Sequence, residues 1–204
     1  MKGIDDNLGK VFDYLDQSGL ATNTLVLYTS DQGVLLGGHG LYDKSFMYEE
    51  SLQMPLLVRW PGQVKAGSVN GDLVSNIDFA PTLLEATEHP LPGDLQGRSF
   101  LPLLRGNTVA DWRDAFYYRY YLSHFNTPPH YGIRTASHKL IYFHTLNVWE
   151  LYDLRQDPSE MKNLAGEPGQ ASVLQALKDR RFNLQRQLKD DPNDVGDHLR
   201  TGLD

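Results

Sequence analysis

Apolar residues near the N-terminus recur at helical spacing, with Ile4, Leu8, Val11, Phe12 and Leu15 on one stripe. Asp5 and Asp6 suit the positive end of a helix dipole and Gly19 stops the run, so the pattern predicts a helix over about 4–18. The period then changes. Leu25, Val26, Leu27 and Tyr28 are apolar without alternation, as in a strand covered on both faces within a parallel sheet flanked by helices. A helix around 45–52, a strand at 55–60, an extended stretch near 72–75 and a helix after Asp78 complete an α/β unit.

Pro92, Gly93, Gly97, Pro102 and Gly106 punctuate the next stretch, which predicts a surface linker. Beyond it the pattern is different. Residues 115–122, 131–135, 139–144 and 149–152 are short aromatic and β-branched runs separated by turn residues, the signature of an antiparallel sheet ended by Asp157-Pro158. Leu174, Leu177, Leu184 and Leu188, with Arg181 in their seam, predict a helix covering that sheet. Two domains are expected, 1–105 and a smaller α+β part over 106–204.

Composition narrows the function classes. With 204 residues, 40% hydrophobic and 22% charged, the chain has material for a core and is unlike a disordered segment. A formal net charge of −7 argues against nonspecific nucleic-acid binding but leaves room for a local cationic pocket. The absence of cysteine excludes disulfides, thiol nucleophiles and thiolate zinc sites. No hydrophobic run approaches bilayer length.

Candidate chemistry is concentrated between residues 25 and 44. Ligands of open α/β sheets collect at the carboxyl ends of strands, and here Asp31 and Gln32 follow the apolar strand directly. A carboxylate and an amide oxygen together suit a hard cation such as Ca²⁺ or Mg²⁺. Lys44, thirteen positions after Asp31, adds a compact positive charge. Each also has a plainer reading: Asp31 as a turn cap, Lys44 as a solvated lysine, and His39 between glycines as a structural residue.

Thr29-Ser30-Asp31-Gln32-Gly33, Leu36-Gly37-Gly38-His39-Gly40, Lys44, Tyr48-Glu49-Glu50-Ser51 and Pro55-Leu56-Leu57-Val58 follow one another in a recognisable order. The segment resembles the type I sulfatases of the alkaline-phosphatase-like superfamily, with Gly38 where many members carry Glu. Asp78-Phe79-Ala80-Pro81-Thr82, Gln96-Gly97-Arg98-Ser99-Phe100, Tyr131-Gly132-Ile133-Arg134-Thr135 and Trp149-Glu150-Leu151-Tyr152-Asp153-Leu154 extend the resemblance to bacterial sulfatases and N-sulfoglucosamine sulfohydrolase-like enzymes over nearly the whole chain.

The resemblance implies the C-terminal part of a mixed or parallel alkaline-phosphatase-like sheet with helices, followed by a small antiparallel sheet packed with a C-terminal helix. It implies Asp31 and Gln32 as metal ligands, Ca²⁺ or Mg²⁺ as the ion, and Lys44 as a sulfate contact. His39 is a further catalytic candidate, and His130 and Arg134 are candidate substrate contacts. Arg134 reads equally well as a sheet-surface charge. Glu49 and Glu50 read as helix-start charges or partners for Arg and Lys. His124, His138 and His144 show no metal-site pattern.

The family's nucleophile is a formylglycine made from the Cys or Ser of a (Cys/Ser)-x-Pro-x-Arg motif, and no such motif occurs here. The expectation is therefore the C-terminal portion of a sulfatase, inert alone, whose parent is periplasmic or secreted and hydrolyses sulfate esters or sulfamates of carbohydrates. Its expected partners are a small sulfated substrate and the missing N-terminal half, or a second copy, with no nucleic acid and no membrane. A phosphonate monoester hydrolase or phosphodiesterase portion is the enzymatic alternative. An anion- or carbohydrate-binding module, or a split-enzyme subunit, is the non-catalytic one.

Overall fold

The structure, a computed structural model, describes residues 2–122 and 127–191, so His124 lies outside the described residues. In chain order come α1 (Lys2–Gln17), β1 (Val26–Thr29), β2 (Leu35–Leu36), β3 (Tyr42–Asp43), α2 (Glu49–Leu52), β4 (Leu56–Arg59), α3 (Phe79–Ala86) and α4 (Leu101–Leu104). The strands β5 (Ala115–Tyr120), β6 (His130–Thr135), β7 (His138–Phe143) and β8 (Val148–Asp153) follow, and then α5 (Ala171–Gln187). No described helix is long and apolar enough to cross a membrane. Two compact units emerge: residues 1–31 with 54–112, and residues 32–53 with 113–204.

In the first unit β1 pairs with β4 antiparallel, Val26 opposite Arg59 and Thr29 opposite Leu56. The unbroken apolar run had suggested a parallel neighbour; a hydrophobic pattern reports which faces are covered, not the direction of the partner strand. The extended stretch expected at 72–75 forms no described strand. The predicted surface linker is also different: Phe100, Leu101 and Leu103 are buried, and Phe100 packs edge-on against Phe79 of α3. Its backbone N–H donates to the Thr82 hydroxyl. Here the apolar triplet outweighs the turn residues around it. Ile4 and Val11 of α1 and Leu57 of β4 are exposed.

The second unit is built on an antiparallel sheet of order β5-β6-β7-β8. Alternation sorts its side chains onto two faces. Ile133, Leu140 and Leu151 point one way and pack with Leu177, Leu174 and Leu184 of α5, as the leucine stripe predicts. Arg181, in the seam, lies over the Tyr131 ring at 4.7 Å, its stem and guanidinium covering the aromatic surface. Ile141, Phe143 and Tyr152 point the other way, onto Leu35, Met47 and Tyr48 of the 32–53 segment. That segment therefore forms a layer on the sheet, opposite α5.

Candidate functional site

The 32–53 segment begins with a close approach. The Gly33 N–H donates to the Ser51 carbonyl at 2.9 Å, and a side chain at Gly33 would strike the backbone of Glu50. β2 and β3 then form a two-residue hairpin, Leu35 opposite Asp43 and Leu36 opposite Tyr42. Leu35 is fully buried while Leu36 and Tyr42 are exposed, so one apolar side chain anchors the hairpin. Lys44 follows β3 directly. Its neighbours Asp43 and Ser45 hold φ of 81° and 84°, conformations that cost a non-glycine residue about 1 kcal/mol or more each. Lys44 is exposed, and no hydrogen bond or ion pair engages it among the described residues.

The chain is then tied to the sheet almost residue by residue. The Ser45 carbonyl accepts from Tyr118 Oη at 3.2 Å, and Met47 is fully buried. Tyr48 Oη donates to Glu150 at 2.9 Å, a carboxylate that also accepts from Tyr152 Oη. Burial, followed by the Glu150 charge, raises both phenols above the ordinary tyrosine range. Glu49 pairs with Arg134 at 3.1 Å and with the fully buried Lys139 at 2.8 Å. Lys139 also pairs with Glu160 at 2.6 Å, and the other Glu160 oxygen accepts the Glu49 N–H at 2.6 Å. Burial pushes the Glu160 carboxyl up against the pull of the Lys139 ammonium. Burial acts on Glu49 too, but the Arg134 hydrogen bonds and the Lys139 charge prevail and hold it low.

His39 sits at φ 54° with its ring stacked on Tyr48, centroids 3.9 Å apart and planes within 6°. Its Nε2 is 3.6 Å from Glu50, outside hydrogen-bond reach, and buried. A ring nitrogen of His39 and carboxylate oxygens of Glu50 and Glu160 lie within 4.8 Å of one another, a spacing a cation could bridge. Glu160 is already held by the Lys139 ammonium, which would repel a dication beside it. Glu160 belongs instead to the ion-pair network of Glu49, Arg134 and Lys139.

The predicted substrate contacts are placed apart from Lys44 in character. His130 is fully buried in an aromatic cluster with Phe46, Tyr118, Tyr120 and Phe143, its Nδ1–H donating to the Pro128 carbonyl at 2.8 Å. Burial lowers its pKa to about 4. Arg134 is committed to Glu49 and to the Thr135 carbonyl. His138 bonds the Ser137 hydroxyl, and His144 is exposed, stacked on Tyr131. Asp31 is exposed and Gln32 half-buried, consecutive residues beyond β1 whose oxygens are of the right type for a hard cation. Lys139 and Glu160 escaped the sequence analysis. A signal for Lys139 existed, since it shares its face of β7 with Ile141 and Phe143, where an apolar residue belongs.

Residues 37–187 match the family model described as N-sulphoglucosamine sulphohydrolase, C-terminal. Over 196 residues the chain is 44% identical to the N-acetylglucosamine-6-O-sulfatase of Bacteroides thetaiotaomicron, taking in 94% of this chain and 35% of that enzyme. The multifunctional alkaline phosphatase superfamily protein PehA of Trinickia caryophylli is 34% identical over 185 residues, 84% of this chain and 36% of that protein. The chain thus spans about a third of the length of these relatives. A solved protein in complex with its substrate D-glucosamine-2-N,6-O-disulfate superposes with a TM-score of 0.87 at 43% identity, covering 93% of this chain and 39% of that one. The phosphonate monoester hydrolase of Agrobacterium radiobacter is more distant, with a TM-score of 0.79 at 27% identity over 90% of this chain and 39% of its own. The fold is that of the alkaline-phosphatase-like sulfatases, a family that implies a divalent metal. This chain belongs to the N-sulphoglucosamine sulphohydrolase C-terminal family and corresponds to the C-terminal portion of a sulfatase.

Proposed function

We propose that the chain supplies the sulfate-binding lysine and part of the metal site of a sulfuric ester hydrolase acting on sulfated glucosamine. One observation supports this: Lys44 is exposed between two residues of positive φ and is engaged by no hydrogen bond or ion pair among the described residues; the motif resemblance suggests it as the sulfate-contacting lysine. Its ammonium would neutralise charge on the sulfate oxygens as the bond to sulfur changes. Asp31 and Gln32 would hold Ca²⁺, or Mg²⁺ in its place, and the ion would polarise the same group. His39 is stacked inside its loop, so Lys44 is the chief contact.

The formylglycine nucleophile and the remaining metal ligands must come from sulfatase sequence that this chain does not contain. The first unit supports such a complement. Ile4, Val11 and Leu57 are 52%, 49% and 64% exposed, and among the described residues β1 and β4 form a two-stranded sheet, marginal without neighbours.

The test joins this chain to the preceding segment of the Bacteroides N-acetylglucosamine-6-O-sulfatase and assays a 6-O-sulfated glucosamine and a phosphonate monoester with Ca²⁺. We expect desulfation by the chimera, none by the chain alone, and a loss of about a hundredfold or more in kcat/KM with Lys44→Ala. Preference for the phosphonate, or full activity in Lys44→Ala, would overturn the proposal.

A further inference from the structure

The Lys44 loop is held from the opposite side of its own layer by charges that no apolar packing requires. Glu49 and Glu160 alternate with Arg134 and Lys139 in a network of balanced charge, and the side chains of Lys139 and Glu160 are 0% exposed. Replacing such a buried ion pair by apolar residues is often neutral or stabilising, so stability alone is a weak reason for it. Directionality is a better one. Packing at Met47 holds the segment against the sheet; a carboxylate fixed between an ammonium and a guanidinium adds a fixed direction. Glu160 adds a second constraint by accepting the backbone N–H of Glu49, which sets the main chain five residues from Lys44.

Between these anchors and Lys44 the chain offers little slack. Ser45 is bonded to Tyr118, Met47 is buried against the sheet, and Tyr48 is tied to Glu150. Asp43 and Ser45 keep positive φ only if their surroundings over-determine it.

We propose that Glu160, Lys139 and Arg134 are positioning residues, acting through Glu49 to hold the strained loop that presents Lys44 to an anion. The functional half of this rests on the sulfate role given to Lys44 above; the mechanical half does not. Arg134 thereby has a role at the site without touching substrate.

The test uses the full chain and three variants, Glu160→Gln, Glu160→Asp and Lys139→Met, with two measurements. Hydrogen exchange is followed over 42–52 and, separately, over 130–153. Inorganic sulfate is titrated while the Lys44 amide is watched by NMR. In Glu160→Gln and Lys139→Met, exchange over 42–52 should speed up by about a hundredfold while the four-stranded sheet keeps its protection. Sulfate affinity should fall about fivefold or more, and Glu160→Asp, which keeps the charge for Lys139, should recover part of both. Unchanged protection over 42–52, or equal loss in the sheet, would overturn the positioning role. If wild type shows no sulfate response at Lys44, the sulfate role falls while hydrogen exchange still decides the mechanical claim.

Discussion

Acid should weaken the second unit through His130, by an amount the structure sets. The imidazole is fully buried among four aromatic rings, its Nδ1–H is used by the Pro128 carbonyl, and Nε2 is buried with no hydrogen-bond partner among the described residues. A proton on Nε2 would thus be a buried charge with no acceptor among the described residues. Burial first, and then the charge of His144, lower the pKa from 6.5 to about 4. The folded state binds this proton less readily than the unfolded chain, so stability is complete above about pH 6.5 and falls as pH drops from there to about 4. At about 1.4 kcal/mol per pH unit, the loss is about 3 kcal/mol, levelling off below the folded value.

His130→Phe fits the same ring cluster and removes the titration. At pH 7.5 it should be within about 1 kcal/mol of wild type, having lost one hydrogen bond. At pH 4.5 it should be the more stable by about 2 kcal/mol. Urea unfolding of both proteins at several pH values, followed by circular dichroism, isolates the effect because titrating groups not coupled to His130 cancel in the difference. Two curves that stay parallel from pH 7.5 to 4.5 would refute the account of a neutral buried imidazole.

Asp190 tests the far face of the same sheet: it accepts from Tyr117 Oη at 2.5 Å, Tyr121 Oη at 2.8 Å and Arg119 at 2.6 Å. Burial opposes its ionisation, but these donors hold its pKa low, so its contribution persists above the unfolded value of 3.8 and is lost as pH falls through the folded one. Asp190→Asn should lower stability by about 2 kcal/mol at pH 7, read as the urea midpoint, because Arg119, Tyr117 and Tyr121 lose the charged acceptor they share. Gly132→Ala would drive a methyl against the Leu140 carbonyl and the Met47 sulfur, and should cost about 2 kcal/mol in thermal unfolding as the 32–53 layer is pushed off the sheet.

The sequence alone was enough for the elements whose signal is periodic. The runs at 115–122, 131–135, 139–144 and 149–152 became β5 to β8, and the leucine stripe became α5, because alternation and 3.6-residue spacing are imposed by the backbone itself. Lys44, which the motif singled out, is exposed in the structure. Glu49 and Glu50 were readable only as charges in search of partners. That Glu49 would meet Arg134, Lys139 and Glu160 was not readable, since those residues come from β6, β7 and a turn 111 positions away, and local sequence holds no record of distant neighbours. His130 is the sharpest case. Its composition suggested a polar contact, but its phase on β6 matches Gly132, and only the stacking of the 32–53 layer on that face turns the phase into complete burial. Phe100, amid turn residues, was lost to the pattern for the converse reason: three apolar residues gain more from a shared core than the neighbouring Gly and Pro residues take away. Tertiary structure thus decided which charges are paired and which face is dry, because both depend on what packs opposite.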